Sequence, residues 1–321
     1  MKHIVRHYNG FFEAVVDGLR GDLTDITGDR EFGWLLVGGD YVFDPEHGHA
    51  DVTGEELTGG NYQRGLLLGA SVVADGRELI LKCDPLSAEV VSDDETPLAS
   101  HGAVLYHKTG DNDNTLLPVV FVDWSIAPGW PGRKISEIKL TMPVKADSAG
   151  IFGLELKDQD VPGGEVKFYS GLPKAMLEGD AGDLADTEAN RSYEVLLVDD
   201  SYVFGRSDTH TEITAAELTD GDYKRGVAAS AGINDDDPLN LKLFIPEENF
   251  SISDSGDQNY SGAIWVLKTG SDDNTIIPIA CHKFAAPVES ENYEFPEIRV
   301  NSGDSETYLV EFNLIDYNVE I

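Results

Sequence analysis

The chain repeats itself at long range. Leu35-Leu36-Val37-Gly38-Gly39-Asp40-Tyr41-Val42-Phe43 returns as Leu196-Leu197-Val198-Asp199-Asp200-Ser201-Tyr202-Val203-Phe204, an offset of 161 residues. The same offset carries Glu56-Leu57-Thr58 to Glu217-Leu218-Thr219, and Tyr62-Gln63-Arg64-Gly65 to Tyr223-Lys224-Arg225-Gly226. It falls to 160 where Lys108-Thr109-Gly110 returns as Lys268-Thr269-Gly270 and Asn114-Thr115-Leu116-Leu117-Pro118 as Asn274-Thr275-Ile276-Ile277-Pro278. Upstream, Tyr8-Asn9-Gly10 matches Tyr169-Ser170-Gly171, and Gly21-Asp22-Leu23 matches Gly182-Asp183-Leu184. Downstream, Glu137-Ile138-Lys139-Leu140 matches Glu297-Ile298-Arg299-Val300. Solenoid repeats run to roughly 20–50 residues, so a period this long is a duplicated domain. The expectation is two similar domains, residues 1–160 and 161–321.

Each copy reads as mainly β with one or two short helices. A helix opens it, from Phe11, Phe12, Val15 and Leu19 in the first copy and from Leu172, Ala175 and Met176 around Pro173 in the second. The apolar runs Trp34-Leu35-Leu36-Val37 and Val195-Leu196-Leu197-Val198 are buried strands leading into Tyr-Val-Phe. Thr53-Gly54-Glu55-Glu56 and Thr214-Ala215-Ala216-Glu217 have capping-box spacing, predicting a short helical turn after each. Strands follow at 77–82 and 239–244. A hairpin is expected from Gly102–His107 to Leu116–Val122, and again from Gly262–Leu267 to Ile276–Cys281. Pro118 and Pro278 inside the return strands predict an edge or a bulge. Strands at 137–142 and 151–156, mirrored at 297–300 and 308–314, close each copy, and 158–164 reads as the linker. The expected fold is two β-sandwich or barrel-like domains.

Charge narrows the function. There are 59 acidic against 23 basic residues, a net charge of −36, spread over both halves. Such a surface repels phosphate, which excludes nucleic acid and anionic membrane as direct partners. It also repels itself, and salt relieves this because the Debye length shrinks to about 3 Å at about 1 M. A molar-salt environment is therefore expected, the alternative being an ordinary acidic extracellular or viral surface protein. Met1-Lys2-His3-Ile4-Val5-Arg6-His7 lacks the apolar run of a signal peptide, and no window is apolar enough to span a membrane. Synthesis in the host cytoplasm is expected. Cys83 and Cys281 align with Phe244 and Phe121, which predicts buried apolar positions rather than a disulfide or metal pair.

The residues assemble no reaction chemistry. With acids this abundant, no carboxylate dyad stands out. Asp111-Asn112-Asp113-Asn114 and Ser271-Asp272-Asp273-Asn274 lack the glycine and the terminal glutamate of an EF-hand loop. They read as hairpin turns, with adventitious cation binding as the remaining alternative. His47-Gly48-His49 has no third ligand nearby in sequence, and only His49 has a counterpart, His210. No nucleophile elbow, phosphate loop or Cys-x-x-Cys is present. The expectation is a non-enzyme without cofactor or metal. Tyr62, Arg64, Tyr223 and Arg225 stand out as aromatic and basic positions kept in an acidic chain. Either the arginines pair with local carboxylates, or these four residues form a subunit interface.

The order Gly21-Asp22-Leu23, Leu35 to His47, Thr53 to Leu57, Tyr62 to Gly65 and Gly102 to Pro118 resembles small structural proteins of tailed bacteriophages and of tailed viruses of haloarchaea. The resemblance covers Tyr8 to Trp124 and, more loosely, Tyr169 to Phe284, where Gly205-Arg206-Ser207-Asp208 replaces Asp44-Pro45-Glu46-His47. It implies a virion component, and the acidic balance favours the haloarchaeal branch. The expected role is a capsid decoration or turret protein contacting the major capsid protein, with a tail, baseplate or connector subunit as the alternative. A non-viral secreted binding module is the third reading. A homotrimer of a doubled chain would present six similar surfaces, a pseudo-sixfold ring.

Screening of this charge should raise the melting temperature by about 10 °C or more between about 0.1 M and about 3 M KCl. A flat profile in calorimetry would contradict it.

Overall fold

A computed structural model describes residues 4–59, 62–75, 78–82, 100–123, 144–145, 148–155, 158–161, 164–187, 191–219, 223–228, 231–234, 240–244, 259–289 and 308–314. The fold is mainly β, with antiparallel sheets. The N-terminal half contains β1 (Ile4–His7), α1 (Asn9–Val16), β2 (Arg30–Gly38), α2 (His49–Gly54), β3 (Gly65–Leu67), β4 (Ser71–Asp75), β5 (Glu78–Lys82), β6 (Ser100–Thr109), β7 (Leu116–Asp123), β8 (Val144–Lys145) and β9 (Ser148–Glu155). The C-terminal half contains β10 (Gln159–Val161), β11 (Gly164–Phe168), α3 (Gly171–Leu177), β12 (Ser192–Val198), α4 (His210–Ala215), β13 (Gly226–Ala228), β14 (Gly232–Asn234), β15 (Asn240–Phe244), β16 (Asn259–Lys268), β17 (Ile276–Glu289) and β18 (Tyr308–Leu314).

One sheet runs β1-β7-β6-β2-β3 and a second β10-β11-β17-β16-β12-β13. Their registers agree at the offsets seen in the sequence. Trp34 faces Leu105 as Val195 faces Trp265, and Ile4 faces Asp123 as Glu165 faces Lys283. Residues 34–37 of β2 and 195–198 of β12 are continuous apolar runs because both faces are covered. Phe32, Trp34 and Leu36 enter the main core, while Leu35 and Val37 join a smaller cluster under α2 with Tyr8, Tyr41 and Val52. Each hairpin carries a bulge opposite its proline, between Leu105 and Tyr106 and between Trp265 and Val266. Skipping a residue lets Pro118 and Pro278 occupy inner strands despite their missing N–H.

The third sheet, β14-β15-β18-β9-β5-β4, draws strands from both halves. Leu154 of β9 faces Leu314 of β18, its own counterpart at the 160 offset. Neither this sheet nor the others close, so no barrel forms among the described residues. The main core likewise runs through both halves, from Phe12 and Leu105 to Leu172 and Leu267. The stretch expected as a linker is hydrogen-bonded instead, with β10 folding back on β11. The strands expected at 137–142 and 297–300, and Cys83, lie outside the described residues.

The junction of the halves is built by the Gly-Asp-Leu motif. α1 ends in a Schellman turn, in which Gly18 N–H donates to Val15 O and Leu19 N–H to Ala14 O, with Gly18 at φ +66°. That turn leaves Leu19 exposed rather than on the core face expected of it. α3 ends in a related turn, with Gly179 at φ +79° donating to Met176 O and Ala181 N–H to Ala175 O. Gly18 then lies against Gly182 and Asp183, and Gly179 against Gly21 and Asp22, so closely that a Cβ on either would overlap backbone. Leu23 N–H donates to Leu177 O at 2.9 Å, and Leu184 N–H to Val16 O at 3.3 Å. Residues 23 and 184, and 16 and 177, are counterparts at offset 161, so the contact is reciprocal. Arg30 donates to the carbonyls of Arg20 and Asp22, and Arg191 to those of Ala181 and Asp183, fixing both turns.

A reciprocal contact is twofold. Halves joined this way are not successive members of a sixfold ring, so the junction supplies no pseudo-sixfold step.

Gly28 provides a control, since it also has φ +66° but open space around the position of its Cβ. Gly28→Ala should cost about 1–2 kcal/mol of left-handed strain. Gly18→Ala and Gly179→Ala should each cost clearly more, because backbone must also move. Equal losses for the three variants in denaturant titrations would contradict the junction.

Candidate functional site

The four residues singled out in the sequence lie on the approach to the edge strands β3 and β13. Tyr62 OH accepts from Leu36 N–H at 2.9 Å and donates to Glu56 at 3.0 Å. Arg64 grips Glu56 with two nitrogens, Nε at 2.8 Å and Nη2 at 2.6 Å, and reaches Asp113 with Nη1 at 2.8 Å. The second half repeats the set. Tyr223 OH accepts from Leu197 N–H at 2.9 Å, and Arg225 holds Glu217 at 2.6 and 2.5 Å and Asp273 at 2.9 Å. Hydrogen bonds from Arg64 and Arg225 hold the Asp113 and Asp273 carboxyls below their usual range, and those same bonds to Glu56 and Glu217 push both guanidiniums up. All four side chains are thus spent on partners within their own half. Arg64 and Asp113 tie the 113–115 turn to the strand edge 49 residues away.

Glu56 and Glu217 are therefore arginine ligands, not helix caps. The helices start one turn earlier than the Thr-x-x-Glu spacing implies. Gly48 N–H donates to Asp51 at the start of α2, and Thr209 with Glu212 forms the capping box of α4. Thr53 and Thr214 instead donate back to His49 O and His210 O, inside the helices. His49 and His210 open those helices, and His47 Nδ1 lies 3.2 Å from Tyr41 OH.

The Tyr-Val-Phe motif has a clear geometry. Tyr41 OH and Tyr8 OH lie 2.6 Å apart, as do Tyr202 OH and Tyr169 OH. Phe43 packs on Tyr8 at 5.0 Å between ring centres, and Phe204 on Tyr169 at 4.8 Å. Between the two anchored rings the valine points outward, Val42 being 77% and Val203 81% exposed. The edge strands do the same two residues past the arginines, where Leu66 is 54% and Val227 50% exposed. Sequence reasoning missed these four residues. The signal available was recurrence, because 42 and 203, and 66 and 227, are counterparts in the repeat.

Buried titratable groups also differ between the halves. His107 is fully buried, stacked on Phe32 with 4.5 Å between ring centres, and neither ring nitrogen has a hydrogen-bond partner among the described residues. Burial, with Arg20 and Arg30 nearby, lowers its pKa to about 3. His282 is lowered to about 4 by burial. Cys281 is a buried free thiol, pushed up to about 12 by burial, in the place Phe121 takes in the first half. Comparison with protein families, with curated proteins and with solved structures finds no match.

A histidine kept neutral by the fold stabilises it fully above its unfolded value, about 6.5, and less as pH falls toward the folded value. His107 should therefore contribute a loss of about 2 kcal/mol between about pH 7.5 and about pH 5. His107→Leu, which installs the residue at counterpart position 267, should remove that share of the acid sensitivity. An unchanged slope of stability against pH in denaturant titrations would contradict it.

Proposed function

We propose that the chain is a tandem-duplicated virion structural protein, a capsid decoration or turret protein on the outer surface of a tailed virus of a halophilic host. The observation that carries this reading is the recurrence of outward apolar residues, Val42 with Val203 and Leu66 with Val227, on an otherwise acidic protein. One exposed valine is ordinary on any surface. The same exposure at the same place in both halves gives one molecule two equivalent contact surfaces.

The twofold relation of the halves suits a clamp between two neighbouring capsomers, each half meeting one of them. Such a clamp adds contacts that resist internal pressure without any catalysis. Tyr62, Arg64, Tyr223 and Arg225 support it from behind, as the residues that fix the edge strands, while Leu66 and Val227 make the contact. The partners are the major capsid protein and further copies of this chain. A trimer then carries six surfaces related by a threefold axis and local twofolds. The acidic shell keeps the protein soluble in molar salt, where apolar contacts persist after screening has weakened charge contacts.

Gold-labelled antibody raised against the purified chain should decorate the capsid shell of the particles. Label confined to the tail would move the protein there, and unlabelled particles would overturn the virion reading. In sedimentation at molar salt a trimer is expected, and Leu66→Asp combined with Val227→Asp should dissociate it with circular dichroism unchanged. A wild-type monomer, or a variant that stays trimeric, would remove the surfaces from assembly.

A further inference from the structure

The two sheets differ at one edge. In the second sheet β10 covers the outer side of β11, with Gln159 facing Val166, Asp160 facing Glu165 and Val161 facing Gly164. Asp158, just before β10, completes the cover. Its Oδ1 accepts from Phe168 N–H at 3.2 Å, and its Oδ2 accepts from Arg206 Nη2 at 2.7 Å, while Arg206 Nη1 donates to Phe168 O at 2.9 Å. In the first sheet the counterpart of β11 is β1, and among the described residues no strand lies beyond it.

Backbone parity shows which groups that edge offers. Tyr8 N–H donates inward to Val119 O, as Tyr169 N–H donates inward to Ile279 O. Amide direction alternates along a strand, so Val5, like its counterpart Val166, turns its N–H and C=O away from the sheet. The edge carries a cation, Arg6, which is half-exposed, 3.6 Å from Asp123 and over the ring of Phe43.

We propose that the outer edge of β1 docks an extended acidic segment of a partner protein as an added antiparallel strand. β10 is the template for it. Continuing the β10–β11 register by one pair sets position 158 opposite Lys167, whose counterpart is Arg6. In the template Asp158 bonds Arg206, which Pro45 replaces in the first half, so a carboxylate at that position of the docking strand is left to Arg6, while main-chain hydrogen bonds to Val5 supply affinity independent of side chains. Charge selects the occupant. A second copy of this chain holds its own acidic strand on its own β11, where it is not free to reach a neighbour. The inference does not depend on the virion reading.

The test uses the full chain and a fluorescent peptide with the sequence of residues 156–161. Saturable binding seen by anisotropy is expected, weakened about tenfold by Arg6→Glu, the loss of one charge-assisted contact. The same peptide carrying Asp158→Lys should reverse the preference, binding the Arg6→Glu protein better than the wild type. That reversal cannot come from misfolding, which weakens both peptides alike. Absence of saturable binding, or binding indifferent to the charge swap, would overturn the proposal. A concentration-dependent dimer abolished by Arg6→Glu would also overturn it, assigning the edge to a second copy.

Discussion

The architecture depends on a backbone contact that only glycine permits. Gly18 and Gly179 each leave a helix in the left-handed conformation and each lie flat on the opposite half's Gly-Asp turn. That approach brings Leu23 to the end of α3 and Leu184 to the end of α1, where each finds a carbonyl that the helix itself leaves unpaired. Helices this short have little stability of their own. Packing the two C-termini against one another satisfies their last carbonyls and excludes water from the core between them. The shared third sheet, with Leu154 facing Leu314, repeats the same twofold at the other end of the interface. Neither half has a complete core alone, since one cluster of buried side chains serves both.

With the frame fixed, the interiors of the two halves differ by compensating exchanges. Gly33 faces Tyr106 across β2 and β6, and the ring fills the space that a Cβ at 33 would need. In the second half the same pair is Glu194 and Val266, a larger residue opposite a smaller one. The arginine follows the exchange. Arg64 lies 6.0 Å from the Tyr106 ring centre, whereas Arg225 donates to Glu194 at 3.2 Å. Beyond the two carboxylates each guanidinium already holds, one meets the face of a ring and the other a third carboxylate, Glu194. His107 against Leu267 and Phe121 against Cys281 are further exchanges at buried positions. The outward valines and the arginine–glutamate grips are the same in both halves.

Much of this was legible in the sequence, and the rest was hidden for identifiable reasons. The strands, the hairpins and the bulge at each proline follow from apolar runs and from a missing N–H, which are local properties. The repeat located Gly-Asp-Leu, yet its role depends on a contact some 160 residues away and on a positive φ, neither of which a pattern records. Thr53 to Glu56 misled because capping spacing is satisfied equally by a helix starting there and by a helix ending there. In this fold the arginine eight residues on captured the glutamate. The segment at 158–164 misled because its glycines and proline read as a linker, whereas residues 159–161 pair with 164–166. The outward valines were invisible because apolar residues next to buried strands read as core.

Amide hydrogen exchange at Leu23 and Leu184 in molar salt tests the reciprocal junction most directly. Both amides should be protected to the same degree and exchange only through global unfolding, in step with amides of β2 and β12. Fast exchange at either, or exchange of one half while the other stays protected, would contradict it.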